Sequence, residues 1–271
     1  MRFILPFMLL FLAASCSNYQ KIVKSNDNDF KFEKAVEYYE DEDYNKAIGL
    51  LTDVIPAFRG TQKAEQVNYY YAMAHYKMRD YTLASHYFKS FVTAFPGSEN
   101  AEEFLFLSAY SKYLESPRPS LDQTPTREAI GELQSFINRY PQSERVADAN
   151  ELIDELRAKL EEKTFQKGVL YFNILDYRAA VTTFRNLLRD YPDTEYREQA
   201  LFYIVRAHYE FAQLSIPSRQ AERYREVTPA FELLLTQFPD SQYLAEAARM
   251  SETALSAIEE LQSTEEITEN N

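Results

Sequence analysis

One short motif occurs four times in this 271-residue chain: an aromatic residue, a proline, any residue, and then serine or threonine. The copies are "FVTAFPGSENAEE", "FINRYPQSERVAD", "LLRDYPDTEYREQA" and "LLTQFPDSQYLAEA", with prolines at Pro96, Pro141, Pro192 and Pro239. Proline cannot donate a hydrogen bond within a helix and disfavours helical geometry at the residue before it, while serine commonly caps a helix. Each copy therefore predicts the end of one helix and the start of another, with Ser98 as the cap in the first copy.

The prolines are 45, 51 and 47 residues apart, which is the length of one repeat in a helical solenoid. Small and aromatic residues upstream of Pro96 fall at the offsets of the tetratricopeptide pattern: Ala72, Tyr81, Ala84, Phe88 and Phe91. The same offsets recur before Pro192 at Gly168, Tyr171, Tyr177, Ala180, Phe184 and Leu187. The sequence thus predicts an all-α fold, a right-handed superhelical solenoid of about five tetratricopeptide-like helix pairs with a C-terminal capping helix.

Two insertions and one long uninterrupted segment break the regular spacing. The third repeat contains "SPRPSLDQTPTRE" and the fifth contains "LSIPSRQAERYREVTP", whereas the segment after Pro141 has no helix breaker except Gly168. We therefore expect repeats 1–3 over residues 30–142. A long connecting helix, repeats 4–5 and the capping helix should fill residues 143–262, and residues 263–271 should form a disordered tail.

Composition excludes several classes of function. The formal charge is −13, which disfavours binding to nucleic acid, and only 5 glycines argue against phosphate-cradling loops. A single cysteine and three histidines give no metal-ligand pattern. His75 and His208 occupy the same repeat position and are interpreted as packing residues. We expect no enzyme activity, no catalytic residue, no metal and no cofactor.

The first residues, "MRFILPFMLLFLAASC", have the layout of a secretory signal peptide, with one charge, an apolar stretch and then small residues. Ala13, Ala14 and Ser15 before Cys16 resemble a bacterial lipoprotein cleavage site, although Ala13 replaces the usual leucine. The prediction is a signal peptide over residues 1–15, lipidation of Cys16 and a flexible lipidated tether over 16–29. The alternative is an ordinary cleaved signal with an incidental cysteine.

A lipoprotein signal followed by five such repeats resembles the BamD family of outer-membrane assembly lipoproteins. Three stretches carry the resemblance: "FEKAVEYYEDEDYNKAIGLLTDVIPAF", "SPRPSLDQTPTREAIGELQSFINRYPQSE" and "LLRDYPDT". Within the second, Asp122-Gln123-Thr124 is more specific than any general repeat position. The resemblance implies a subunit anchored in the outer membrane and facing the periplasm. Its partners would be the periplasmic domains of the barrel-insertion protein BamA, unfolded β-barrel proteins and other assembly lipoproteins.

Within the family, the N-terminal repeats are associated with substrate and the C-terminal half with BamA. The first helix of each tetratricopeptide repeat faces the groove, and the groove positions of repeats 1–3 are Phe32, Val36, Tyr39, Tyr69, Met73, Tyr76, Lys77, Leu105, Lys112 and Tyr113. Rings there could pack against the aromatic side chains of a barrel strand, while Lys77 or Lys112 meets its carboxylate. The alternative is that these tyrosines only pack repeats together.

For docking to BamA, the candidate residues are Arg189, Arg197 and Arg206, because an arginine fork pairs directionally with a carboxylate. Arg197 follows "RDYPDT", a region that the family uses for this contact, but it could instead form a surface ion pair with Glu198 or Asp193.

Two other functions are alternatives for a lipoprotein with these repeats. A periplasmic tetratricopeptide lipoprotein that scaffolds cell-wall synthesis would share the anchor and the repeats, but not the insertion around Gln123. A glycan-capturing surface lipoprotein would use tryptophan platforms, and this chain has no tryptophan.

Overall fold

The computed structural model describes residues 18–269, and the side chains of residues 18–263. This part of the chain is helical and contains no β-strand. After a short helical segment at residues 18–23, the helices are α1 Asn28–Glu40, α2 Tyr44–Phe58, α3 Ala64–Lys77, α4 Tyr81–Ala94, α5 Ala101–Leu114, α6 Thr124–Arg139, α7 Val146–Asn173, α8 Tyr177–Asp190, α9 Arg197–Gln213, α10 Pro217–Tyr224, α11 Val227–Gln237 and α12 Leu244–Glu269.

The chain divides into two compact units. Among the described residues, unit 1 consists of 18–117 and 122–156, and unit 2 of 118–121 and 157–269. The boundary between these two units lies inside α7, between Leu156 and Arg157, whereas the sequence prediction divides the repeats at residue 142. The reason is that the first turns of α7 contribute Ala149, Ile153 and Leu156 to the core around Phe136 in unit 1.

In unit 1, each of the helices α1 to α6 packs on the next, as expected for stacked helix pairs. Three successive cores result. Leu50 and Leu51 are fully buried in the first, Phe88 and Phe104 in the second, and Leu133 and Phe136 in the third. Burial of these aliphatic and aromatic side chains is the main stabilising term for a stack of this kind.

The turn between the two helices of a repeat has one geometry in repeats 1, 2 and 4. The second residue after the first helix has a left-handed backbone with φ of 61°, 62° and 64°, at Glu42, Arg79 and Leu175. The next residue is an aspartate whose side chain caps the second helix: Asp43, Asp80 and Asp176. The backbone N–H of each aspartate also closes the preceding helix, with bonds of 2.8–3.0 Å to Tyr38, His75 and Tyr171.

The repeated aromatic-Pro motif ends helices as predicted, but the serine hydroxyl in it binds the backbone before the next helix begins. Phe95 is the C-cap of α4, and its N–H donates to the Phe91 carbonyl at 2.8 Å. Ser98 Oγ accepts from the N–H of Asn100 at 3.1 Å, and Asn100 is the residue that precedes α5. The prediction that Ser98 is the helix cap is therefore wrong: the hydroxyl stabilises the turn before the cap.

Both insertions are structured. Gln123 is fully buried at the start of α6 and accepts a hydrogen bond from Thr126 at 2.7 Å, while Asp122 accepts from the N–H of Thr124 at 3.0 Å. In unit 2 the second insertion folds as α10, which packs on α9 and α12. The inserted residues therefore support neighbouring helices and do not form free loops.

Unit 2 is built from the later part of α7 and from α8 to α12. Phe184 and Leu187 are fully buried in one core, and Leu201 and Leu234 in a second. The final helix continues to Glu269, past residue 262, where the sequence predicts that the capping helix ends. Residues 270 and 271 lie outside the described part.

The N-terminal segment is also more ordered than expected. Residues 18–23 are helical, and Tyr19, Ile22 and Val23 pack on the core of repeat 1, where Tyr19 meets Tyr38 edge to face at 5.7 Å. The range predicted as a flexible tether, 16–29, therefore includes a helical segment that packs on repeat 1. Cys16 and the predicted signal peptide lie outside the described residues. Within residues 18–269, no helix is long and apolar enough to cross a membrane.

Candidate functional site

A row of aromatic rings runs across the first helices of the three repeats in unit 1. Tyr39 on α1 meets Tyr70 on α3 at 5.2 Å, Tyr70 meets Tyr69 at 5.4 Å, and Tyr69 stacks on Phe104 of α5 at 5.2 Å. Burial raises the pKa of Tyr39 to about 12. The rings are half-buried except Phe104, which is fully buried, so this row both joins the repeats and presents ring surface.

Tyr76 continues this surface toward the end of α3. Its ring contacts Tyr81 at 5.9 Å and Phe88 at 5.8 Å, and burial raises its pKa. Met73 and Leu105 are half-buried beside the same core. Three predicted groove residues of repeats 2 and 3 therefore lie around one core, with part of each side chain accessible.

A second group of rings lies along α5, one on each successive turn. Phe106 and Tyr110 are parallel within 9° at 6.0 Å, and Tyr110 and Tyr113 within 13° at 5.5 Å. The Tyr113 hydroxyl donates to Glu155 on α7, which raises the pKa of Tyr113 to about 12. We call Phe106, Tyr110 and Tyr113 the tyrosine ladder. It lines an open cleft of about 540 Å³ within unit 1.

Carboxylates surround this cleft. Glu103, Asp148, Glu151 and Glu155 all line it, against one cation, Arg145. Arg145 donates two hydrogen bonds to Glu103, at 2.9 and 3.2 Å, and one to Asp148 at 3.2 Å. Its guanidinium lies 5.0 Å from the ring centre of Phe106. The cleft, lined by α3, α5 and the first turns of α7, is therefore aromatic and acidic.

The remaining predicted groove residues differ from one another in burial and in ion pairing. Phe32 is only 7% exposed and packs on Phe58 and Tyr70, so it is a core residue and not a surface contact. Val36 is half-buried beside the same core. Lys112 pairs with Glu115 at 3.4 Å and Glu128 at 3.6 Å.

Lys77, by contrast, is exposed and makes no ion pair with any residue of the described chain. Tyr110, Phe106 and Arg145 were not predicted. The two rings could have been found from the sequence, because Phe106, Tyr110 and Tyr113 are spaced four and three residues apart and so share one helix face. No comparable pattern indicates Arg145.

The three predicted arginines of unit 2 have different surroundings. Arg189 is 70% exposed and pairs only with its neighbour Asp190, at 2.9 Å. Arg197 donates to the side-chain oxygen of Gln237 and to the carbonyl of Pro192, both at 2.9 Å. Both acceptors are neutral groups, and neither is the carboxylate of Glu198 or Asp193.

Arg206 is held among aromatic rings. Its guanidinium lies 4.9 Å from the ring centre of Phe172, 5.7 Å from Phe202 and 5.8 Å from Tyr203. Its buried Nε has no hydrogen-bond partner, and the nearest carboxylate, Glu246, is 3.9 Å away. Arg206 therefore supports packing in unit 2 and also lines a cleft of about 460 Å³ within that unit.

A smaller cleft of about 270 Å³ lies between α8, α9 and the inserted α10. His208 lines it 3.4 Å from the guanidinium of Arg185, and burial, followed by that charge, lowers the pKa of His208. His208 thus differs from His75, which is buried against Tyr71 and Tyr87. Among the described residues, no group of histidine, cysteine or acidic side chains could hold a metal ion.

This chain matches a protein-family model. The family is YfiO, described as "Outer membrane lipoprotein", and it matches residues 24–215, which is more than half of the chain. The matched range contains α1 to α9 in full and so includes helices of both units.

A relative with a curated description is "Outer membrane protein assembly factor BamD" of Caulobacter vibrioides. It is 30% identical over 87 residues, which are 32% of this chain and 28% of the relative. The alignment therefore spans less than a third of either protein. Among solved structures, the "TPR2AB-domain:pHSP90-complex of yeast Sti1" aligns with a TM-score of 0.39 at 12% identity, covering 89% of this chain and 96% of that one.

Proposed function

Because the chain belongs to the BamD-like YfiO family of outer membrane lipoproteins, we propose that it is a non-catalytic subunit of the machinery that assembles β-barrel proteins in the outer membrane. The single observation that carries the proposal is the family match over residues 24–215. In this role the protein is anchored through Cys16, faces the periplasm, binds the periplasmic domains of a BamA-like protein and receives unfolded barrel chains.

The aromatic row of unit 1 is the surface that we assign to the barrel chain. In an extended strand from a barrel, every second side chain points to the same face, and the backbone groups are unpaired. The apolar side chains on one face can therefore pack against exposed aromatic rings. Tyr39, Tyr69 and Tyr76 offer half-buried rings on two successive first helices. Such rings bind with little loss of side-chain entropy because the fold already orders them.

Site-specific photocrosslinking tests this surface. A photoreactive amino acid at position 69 or 76 should label a nascent barrel protein or its C-terminal peptide. Matched controls at Thr93 and Gln134, exposed positions on the second helices α4 and α6, should not label it. Labelling from 93 and 134 alone would contradict the assignment.

We assign docking of the BamA-like partner to unit 2, through Arg189 and Arg197. Arg189 is the more exposed, whereas Arg197 also holds α9 to the preceding proline motif. Charge reversal of either residue should reduce co-purification of a barrel protein with periplasmic domains. Arg219→Glu on α10 is the matched control, because Arg219 is 60% exposed and pairs with Glu222 on its own helix. If both Arg189→Glu and Arg197→Glu retain the partner, the docking assignment fails.

The anchor is tested separately. Cys16→Ala should move the protein from the membrane fraction to the soluble periplasmic fraction, because acyl chains on Cys16 supply the proposed attachment. Retention of the variant in membranes would refute lipidation as the anchor. Recovery of cell-wall synthases in place of a barrel protein with the tagged chain would favour a scaffold for cell-wall synthesis instead.

A further inference from the structure

We propose that the acidic cleft beside the tyrosine ladder binds a cationic side chain, lysine or arginine, carried by the extended segment that lies on the aromatic row. This inference rests on the proposed function and adds a specificity to it. It concerns which barrel segments are preferred, and it places a cation-binding cleft beside a groove in which the sequence predicts two lysines.

The ladder provides the first half of a cation site. A cation near the face of an aromatic ring is attracted by the negative charge above the ring plane. Arg145 already uses this attraction at Phe106, at 5.0 Å. Tyr110 and Tyr113 are parallel to each other and line the cleft. Two further aromatic rings therefore border the open space.

The carboxylates provide the second half. Arg145 engages Glu103 and Asp148, but it does not reach the other two acids of the cleft. Glu151 and Glu155 are exposed, lie one turn apart on α7 and form no ion pair within the described chain. Like charges at this spacing repel each other. A bound ammonium or guanidinium group would relieve that repulsion and form a charge-assisted hydrogen bond.

The same charges disfavour a carboxylate in this cleft. Lys112, one of the two lysines expected to meet the C-terminal carboxylate of a substrate, is paired with Glu115 and Glu128. The cleft itself has four carboxylates and one arginine. A negatively charged chain end would therefore be repelled here, so the ligand is a positively charged side chain within the segment.

A pair of peptides tests the proposal. Both have the alternating pattern of a barrel strand with several tyrosines; one has a lysine at a central position, and the other has norleucine there, which keeps the length but removes the charge. Binding to the detergent-solubilised full-length protein is measured by fluorescence anisotropy. We expect the lysine peptide to bind about tenfold more tightly, with a preference that weakens as salt rises.

Variants then test whether the carboxylates of this cleft cause the preference for the lysine peptide. In Glu151→Gln/Glu155→Gln the advantage of the lysine peptide should disappear, while the amide oxygen at 155 can still accept the Tyr113 hydrogen bond. Asp154→Asn is the matched control, because Asp154 is exposed on the same helix but does not line the cleft. It should keep the full preference.

The outcomes separate this inference from the proposed function. Equal binding of both peptides to the unaltered protein would overturn the cation preference and leave the groove assignment in place. A preference that survives in the double variant would overturn its assignment to this cleft. Binding of neither peptide would overturn both the cation site and the substrate groove.

Discussion

The ring of Phe184 on α8 fills the space that a side chain on Gly168 of α7 would need: a Cβ atom added to Gly168 would lie 2.6 Å from the ring. Real contacts between carbon atoms are closer to 3.5–4.0 Å. Phe184 is fully buried, so its ring cannot move aside without disturbing the core of unit 2. The glycine is therefore required by close approach of two helices.

Gly168→Ala should lower the free energy of unfolding by about 1–3 kcal/mol, because it overpacks this contact. Gly131→Ala on α6 is the matched control, since nothing lies within 4 Å of its added Cβ. That variant should raise stability by about 0.5–1 kcal/mol through better helix propensity. Urea unfolding followed by circular dichroism measures both, and equal effects of one sign would contradict the close-contact explanation.

The left-handed turn residues give a second prediction. Leu175 has φ of 64° and is 63% exposed, so glycine there would relieve backbone strain and lose little packing. Leu175→Gly should raise stability by about 0.5–1 kcal/mol. Leu170→Gly, at a similarly exposed position inside α7, should lower it by about 1 kcal/mol. Thermal unfolding of both variants checks that the two changes in stability have opposite signs. A loss of stability in both variants would refute backbone strain at Leu175.

The aromatic surroundings of Arg206 give a third prediction, which concerns the stability of unit 2. Arg206→Ala should lower the free energy of unfolding by about 1–2 kcal/mol, because the guanidinium contacts three rings and its alkyl chain covers apolar surface. Arg189→Ala, at an exposed position, should change it by less than about 0.5 kcal/mol. Urea midpoints distinguish the two. If Arg206→Ala is as stable as Arg189→Ala, the packing role assigned to Arg206 is wrong.

Two histidines with lowered pKa values, His75 and His208, predict a pH dependence of stability. Burial lowers the pKa of both His75 and His208, so the folded chain holds them neutral while the unfolded chain takes up protons below about pH 6.5. Stability should therefore fall between pH 7.5 and 5.5, by at most about 1.4 kcal/mol per pH unit for each histidine. His75→Phe and His208→Phe should each reduce this slope and together reduce it most. An unchanged slope in the double variant would contradict the prediction.

The repeat register was predictable because it depends on local chemistry. Each aromatic-Pro motif ends a helix, and the aspartates that precede α2, α4 and α8 cap them as short polar residues do. The left-handed backbone at Leu175 could not be read from the sequence, since a leucine gives no indication of it. Its conformation is imposed by the hydrogen bond that closes α7.

The structure places the predicted groove residues in different surroundings. Tyr69 and Tyr76 lie where the repeat template places groove residues, half-buried on the first helix of repeat 2. The template failed for Phe32, because a position facing the groove in general repeats here faces Phe58 and Tyr70. It also missed Arg145, which lies outside the template and reaches the cleft only because the start of α7 packs into unit 1.

The docking of residues 18–23 on repeat 1 limits how far a membrane anchor could be from the folded protein. In the sequence only Ser17 separates Cys16 from this segment, and two residues of chain reach at most about 7 Å. A lipid on Cys16 would therefore be connected to repeat 1 by a very short segment of chain. It would hold residues 18–23, and repeat 1 on which they pack, close to the membrane surface.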